Sequence, residues 1–310
     1  MDFEEFISEW KSTGESISVK TSGSTGAPKI ISLSKQFVSE SARRTIEFFK
    51  LDSASHLHSC VGADYIGGKM MAVRSLISGC RFTWETPSNR PLSSLKPTDH
   101  ISLLAVVPSQ MLHLVQRLDE LPKIDNIIIG GSPIDNRLRS KIINTGLNAF
   151  ETYGMTETAS HIAIRRIDEE WFHTMKGINV NLDSRGCLVI VMPDNTEIVT
   201  NDIAKLKNNK EFKIKGRADH IIITGGKKIN PIDVENKIST LVNGPFFISS
   251  LPDEKWGEKI VLCLEGDSGK ENTDDILLKM KEVLLPFEMP KEIKFYKELP
   301  KTANGKIKRR

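Results

Sequence analysis

The stretch Thr21-Ser22-Gly23-Ser24-Thr25-Gly26-Ala27-Pro28-Lys29 carries the sharpest chemical signal in the chain. Its hydroxyls and two glycines leave backbone N–H groups free to wrap an anion, as in a phosphate-binding nest. Lys29 adds a point charge suited to the outer phosphates of a nucleotide. This is not a Walker A loop, since G-x-x-x-x-G-K-[ST] is absent and Pro28 stands where a helix would begin. The same composition would also make a Gly/Ser hairpin turn.

A second constellation is Tyr153-Gly154-Met155-Thr156-Glu157-Thr158, which follows a predicted strand. Tyr153 could stack on adenine and Glu157 could hold Mg2+ beside phosphates. The competing reading is a strand-to-helix turn capped by Thr156 or Thr158. Gly216-Arg217-Ala218-Asp219 and Pro300-Lys301-Thr302-Ala303-Asn304-Gly305-Lys306 read, each alone, as turns.

The elements around these residues alternate over the first two-thirds of the chain. Short β-branched runs predict strands at Ser16–Lys20, Ile30–Leu33, His56–Val61, Ile101–Val107, Ile124–Ile129 and Ala149–Thr152. Helical spacing predicts helices at Lys35–Lys50, capped by Ser34, and at Ile66–Ile77, Ser109–Leu118 and Asp135–Thr145. That alternation implies a mostly parallel sheet covered on both faces, with ligands at the carboxyl ends of its strands. From Gly177 short strands follow, including Cys187–Met192 and Glu197–Thr200, with a polar turn at Asn208–Glu211. Beyond Gly216 a small α+β unit is expected: strand His220–Thr224, a Gly225-Gly226 turn, helix Pro231–Val242, strands Phe246–Ser250 and Lys259–Glu265, helix Thr273–Leu285 and strand Glu292–Tyr296. The expected division is a large ATP- and acid-binding domain over 1–216 and a mobile C-terminal domain over 217–310.

The 310 residues carry a net charge of only +3, so no broad nucleic-acid surface is expected. No apolar run reaches the roughly 20 residues of a membrane span. The N-terminus is acidic and amphipathic rather than signal-like, and the terminal Lys308-Arg309-Arg310 reads as a solvated tail. Cys60, Cys80, Cys187 and Cys263 are scattered without paired spacing, which argues against a zinc site or redox pair and fits a cytoplasmic protein.

Taken together and in order, the four motifs resemble those of the acyl- and aryl-adenylating superfamily: acyl-CoA synthetases, luciferase and adenylation domains. The resemblance runs from Ser16 to Lys306. It takes in Gly130-Gly131-Ser132-Pro133, like the family's adenine-side loop, and Gly226-Lys227-Lys228-Ile229-Asn230-Pro231 with Glu235. It implies that Thr21, Ser22, Gly23, Ser24, Thr25, Gly26 and Lys29 hold the β,γ-phosphates of ATP. Adenine would lie by Tyr153, Gly131, Ser132 and Pro133. Glu157 would bind Mg2+, with Thr156 near the α-phosphate. Asp202 and Arg217 would grip ribose or phosphate, Asp219 would be the hinge, and Gly225 and Gly226 would border the coenzyme A channel. Lys306 would bridge the attacking carboxylate and the nucleotide.

Three departures stand out. Relatives carry a long region before the phosphate loop, whereas here it starts at Thr21, so the large domain is expected to be shortened. Asn201 precedes Asp202 where relatives show glycine. The acyl-pocket segment reads Ala63-Asp64-Tyr65-Ile66-Gly67-Gly68, with Tyr65 where an aromatic or His is common.

Tyr153–Ser160 followed by His161-Ile162, and the helix with Arg74, resemble o-succinylbenzoate–CoA ligases of menaquinone synthesis. An aromatic dicarboxylate needs a cation for its unreacting carboxylate, and Arg74 and Lys69 are the candidates, in a pocket with Tyr65, Gly67, Gly68 and Ser160. A solvated helix face would explain both cations equally well. The expected activity is therefore an AMP-forming acid–thiol ligase. Passage of the acyl group to a carrier protein or an amine, or a degenerate nucleotide-binding module, are the alternatives.

Overall fold

The computed structural model describes residues 2–21, 29–266, 273–300 and 309. The chain divides into two compact units, Met1–Ile178 and Asn179–Arg310.

In the first unit, strands Arg81–Trp84, His56–Ser59, Leu103–Val106, Ile127–Ile129 and Ala149–Met155 lie side by side in that order, all parallel. Ser160–Arg166 turns back antiparallel on Ala149–Met155, and Phe172–Thr174 pairs antiparallel beyond it. Leu103–Val106 and Ile127–Ile129 are buried along their whole length, because helices cover both faces. On one face Leu104, Val106, Ile127 and Ile129 meet Met111, Leu114, Leu138 and Ile142 of helices Pro108–Leu114 and Asn136–Thr145. The other face packs Val38, Ala42, Met70 and Val73 of helices Lys35–Phe49 and Ile66–Ser78.

The acidic N-terminus is a helix, Phe3–Lys11, that buries Phe3 and Phe6 in the same cluster. Asp2 and Glu5 cap it reciprocally, Glu5 N–H donating to Asp2 Oδ1 at 2.8 Å and Asp2 N–H to Glu5 Oε2 at 3.1 Å. Ser34 Oγ accepts from Phe37 N–H, as its position before the helix requires. The expected helix over Ser109–Leu118 stops at Leu114, and an Arg117–Glu120 ion pair closes a separate 3-10 turn, Leu118–Glu120. The expected strand Ile101–Val107 breaks at Ser102, whose hydroxyl accepts from His56 N–H.

In the second unit Asn179–Leu182, Cys187–Val191, Glu197–Asn208 and Glu211–Arg217 form an antiparallel series. The polar Asn208–Glu211 stretch is the turn of its last hairpin. Strands Lys227–Ile229, Ile222–Thr224, Gly257–Glu265 and Phe246–Asp253 follow in sheet order, with Glu292–Tyr296 parallel to Gly257–Glu265. Helices Pro231–Ile238 and Thr273–Val283 bury Val234, Ile238, Ile276 and Met280 on this sheet. Arg309 is not part of a solvated tail. Its guanidinium pairs with both Glu235 oxygens, and its carbonyl accepts from Ser249 Oγ at 2.7 Å. The anionic Glu235 inside the fold draws the cation in.

No helix among the described residues is long and apolar enough to cross a membrane.

Candidate active site

Thr21 and Lys29 form the stem of the glycine- and serine-rich loop. Thr21 N–H donates to the Lys29 carbonyl at 2.8 Å, and Lys29 N–H donates back to Thr21 Oγ1 at 3.0 Å. The antiparallel strands Ser16–Lys20 and Ile30–Ser34 bring the two residues together. Ser22, Gly23, Ser24, Thr25 and Gly26 lie outside the described residues.

Gly130–Pro133 leaves the carboxyl end of Ile127–Ile129, where ligands of parallel sheets bind. A Cβ on Gly130 would stand 2.7 Å from Thr152 Oγ1, and Gly131 has φ +90°, so glycine suits both positions. Ser132 is half-buried and Pro133 exposed. Asp135 then caps the next helix through Leu138 N–H.

Tyr153 is fixed from beneath by a buried ionic group that the sequence reading missed. Glu151 is 5% exposed and takes bonds from Arg139 and from Arg165 Nε and Nη2, the latter two at 2.9 and 2.6 Å. Burial pulls the Arg165 guanidinium below its ordinary range, and the Glu151 charge partly restores it. The Arg165 guanidinium lies 4.3 Å from the Phe172 ring centre, and Phe172 packs on Tyr153 at 5.9 Å between centroids. Alternation along the strand from Tyr153 back to Glu151 was the available signal.

Gly154 is the crossing point of the strand pair. A Cβ there would lie 2.3 Å from the Ser160 carbonyl oxygen and 2.5 Å from His161 Cα. After it, Thr156–Thr158 makes a 3-10 turn, and Thr158 Oγ1 accepts from Met155 N–H while donating to the Ser160 carbonyl at 2.7 Å. Thr156 is buried and Glu157 exposed. The Glu157 carboxylate makes no hydrogen bond or ion pair with a described residue. One exposed carboxylate on a rigid turn fits a Mg2+ ion, which keeps most of its water and is bound through one or two carboxylates and phosphate oxygens.

The turn ends in two strained residues, Ala159 at φ +54° and Ser160 at φ +134°. The Ser160 hydroxyl accepts from Arg74 Nη2 at 3.1 Å. Arg74 is 1% exposed. Its Nη1 reaches only Met71 Sδ, its Nε has no partner, and no carboxylate among the described residues pairs with it. Burial lowers it to about 9. His161, which sequence reasoning gave no role, lies beside it, with Nε2 3.0 Å from Thr45 Oγ1. Burial, then the Arg74 charge, holds the imidazole well below its usual range, so it is neutral.

Lys69 and Arg74 are both buried, so neither belongs to a solvated helix face. They also face different surroundings. The Lys69 ammonium sits 4.2 Å from the centre of the Phe6 ring on the N-terminal helix. Tyr65 stands exposed at the start of the Arg74 helix, and Gly68 packs on the Val61–Gly62 backbone, leaving 2.3 Å between an added Cβ and the Gly62 oxygen. Gly67 has ordinary room.

In the second unit Asp202 and Arg217 are cross-strand partners. Arg217 Nη1 donates to Asp202 Oδ1 at 3.0 Å, while its Nε and Nη2 hold Asp219 bidentately at 2.9 Å each. Burial alone would raise the Asp219 carboxyl, but the Arg217 contacts outweigh it and leave it below the usual range. Gly216 has φ +151° with Asn230 against it, and Asn230 Nδ2 donates to the Lys215 carbonyl at 2.6 Å. Gly225 and Gly226 form the turn at φ +54° and +75°, Gly225 lying against the Trp256 ring. Lys306 lies outside the described residues.

The profile of the AMP-binding enzyme family matches residues 20–203, and that of the AMP-binding enzyme C-terminal domain matches 247–306. The chain belongs to the AMP-binding enzyme family. It is thus an adenylate-forming ligase. A 2-succinylbenzoate–CoA ligase of Bacillus mycoides is 24% identical over 99% of this chain and 72% of its own length. The Haemophilus influenzae ligase of the same name is 26% identical over 87% of this chain and 64% of itself. Among solved structures, an acyl-CoA synthetase (AMP-forming)/AMP-acid ligase II-like protein from Dyadobacter fermentans is 29% identical, with TM-score 0.64, over 98% of this chain and 90% of that one. The Bacillus subtilis o-succinylbenzoate CoA synthetase complexed with its acyl-adenylate is 20% identical and has TM-score 0.84, over 94% and 67% of the two chains. The fold of this family member is therefore the adenylate-forming one.

Proposed function

We propose that this ligase activates o-succinylbenzoate with ATP as an acyl-AMP and passes the acyl group to coenzyme A, a step of menaquinone synthesis. The observation that carries the choice of acid is Arg74. A guanidinium that is fully buried, satisfied only by a serine hydroxyl and a thioether, needs an anion, and the unreacting carboxylate of an aromatic dicarboxylate supplies one. The names of the relatives lend support.

In this reading Tyr153, set by Phe172 and Arg165, stacks on adenine, and the Gly130–Pro133 backbone lines the other side. Thr21 and Lys29 close the stem of the loop that wraps the outer phosphates. Attack of a carboxylate on a triphosphate brings anions together, so Lys29 and Lys306 offset the repulsion in the transition state. Mg2+ held by Glu157 would neutralise phosphate charge. Asp202 grips the ribose, with Arg217 orienting it.

ATP–pyrophosphate exchange over a panel of acids, with and without coenzyme A, tests the assignment. Exchange should depend on an aromatic dicarboxylate, and coenzyme A should yield its thioester. Exchange driven equally by benzoate and o-succinylbenzoate would remove the role given to Arg74.

A further inference from the structure

Two parallel strands at the edge of the first unit end beside each other. His56–Ser59 runs into Cys60, Arg81–Trp84 runs into Glu85, and Glu85 N–H donates to the Ser59 carbonyl at 3.2 Å. A ring nitrogen of His58, the Cys60 sulfur and a Glu85 carboxylate oxygen all lie within 4.8 Å of one another. His58 and Cys60 are fully buried.

The hydrogen bonds around this group fix a tautomer. His56 Nδ1 lies 2.8 Å from the His100 carbonyl, which only accepts, so Nδ1 carries the proton. Neutral His56 then offers a lone pair at Nε2, and the Thr83 hydroxyl at 2.7 Å donates its one hydrogen there. Thr83 Oγ1 is left to accept from His58 Nδ1–H, also at 2.7 Å. His58 Nε2 therefore presents a bare lone pair, buried and without a hydrogen-bond partner. A buried nitrogen left in this state is costly unless something binds it.

We propose that His58 Nε2, Cys60 Sγ and Glu85 form a binding site for a zinc ion, separate from the nucleotide and acid sites. A neutral imidazole, a thiolate and a carboxylate bring two negative charges to a divalent ion, so the buried site is neutral when filled. Nitrogen and sulfur donors favour zinc over magnesium, and three protein ligands leave a fourth position for water. A thiol ligates a metal only as the thiolate, so binding at Cys60 releases a proton. Glu85 is oriented by Leu92 N–H at 2.6 Å and Ser94 Oγ at 3.2 Å, and His58 by Thr83, as outer partners of metal ligands usually are. The ion would tie together two strand ends, the first of which, at Cys60, leads into the Arg74 helix and the second of which follows that helix. Paired-cysteine spacing is the wrong signal for it, since its ligands come from two strands.

The test is cobalt substitution of tag-free, chelator-treated protein, read without ATP or acid so that it stands apart from ligase activity. The wild type should bind Co2+ stoichiometrically with a thiolate-to-cobalt charge-transfer band, and zinc should displace it. Cys60→Ala should lose the band. Thr83→Val should keep it but bind about 10–100-fold more weakly, the usual effect of losing an outer-shell partner. Absence of the band in the wild type, or an unchanged band in Cys60→Ala, would overturn the proposal and leave Cys60 as a thiol donor to Glu85. If Cys60→Ala does not fold, Cys60→Ser takes its place with the same two outcomes.

Discussion

Arg74 Nη2 donates to Ser160 Oγ across 3.1 Å, and Ser160 holds that position with φ +134°, a backbone region that serine rarely adopts. A helix buried under the sheet and a turn at a strand's end thus converge on one polar contact. Strain of roughly 1–3 kcal/mol is tolerated at such places when it positions a functional group.

The buried guanidinium makes a two-sided prediction. In Arg74→Met the KM for o-succinylbenzoate should rise by at least about a hundredfold, from the roughly 3–5 kcal/mol cost of leaving a buried charge unpaired. A monocarboxylate should change little. The same variant removes an uncompensated charge from the apo protein, so its Tm should not fall below that of the wild type. A lower Tm with equal KM changes would make Arg74 a structural residue.

His161 gives a pH signature. Its folded pKa is depressed below the ordinary 6.5 by burial and by Arg74. As pH falls below about 6.5 the unfolded chain takes up a proton that the folded imidazole refuses, so stability falls with pH. Thr45 and Arg74 are the groups that face the ring. Denaturant titrations from neutral pH downward should show a slope shallower by about 1.4 kcal/mol per pH unit in His161→Asn than in the wild type. Equal slopes would mean that His161 titrates normally.

Gly154→Ala should be severe, because its Cβ meets backbone atoms of Ser160 and His161 that cannot swing aside. Overpacking costs roughly 1–3 kcal/mol, and here it also shifts the turn that carries Glu157, so Tm and pyrophosphate exchange should fall together. Gly67→Ala, with only Val61 Cγ1 at 3.7 Å, should keep its Tm. A wild-type Tm in Gly154→Ala would refute the close crossing.

Much of this was legible in the sequence. Ser16–Lys20 and Glu292–Tyr296 form strands over the expected residues, and Ser34 caps its helix as a hydroxyl does. The Tyr153–Ser160 motif was visible through its resemblance to the adenylating superfamily. What was not legible is whatever depends on burial across distant segments. Charge on a helix says nothing of its face, so Arg74 and Lys69 read as equal candidates until packing put one against Ser160 and the other over Phe6. Arg309 looked like tail because its partner Glu235 is far away in sequence. The Glu151 group and the His58 relay depend in the same way on neighbouring strands.

We propose Asp219 as the hinge about which residues 217–310 move between adenylation and thioester formation. Asp219 sits in a 3-10 turn, its carboxylate held by Arg217. Asp219→Pro fixes φ near −65° and should keep pyrophosphate exchange while losing coenzyme A-dependent turnover. Asp219→Asn, which loses the charge but not the rotation, should retain measurable turnover. Wild-type thioester formation in Asp219→Pro would place the hinge elsewhere.

The central claim is adenylation of a dicarboxylate whose second carboxylate pairs with Arg74, and trapping the intermediate tests it most directly. Enzyme, ATP, Mg2+ and o-succinylbenzoate, quenched without coenzyme A and read by mass spectrometry, should yield o-succinylbenzoyl-AMP bound to the wild type and pyrophosphate in equal amount. Lys306→Ala should lose the adenylate, yet still convert supplied acyl-AMP to its coenzyme A thioester. Absence of any acyl-AMP from the wild type, or equal adenylate formation by the wild type and Arg74→Met at low o-succinylbenzoate, would contradict the claim.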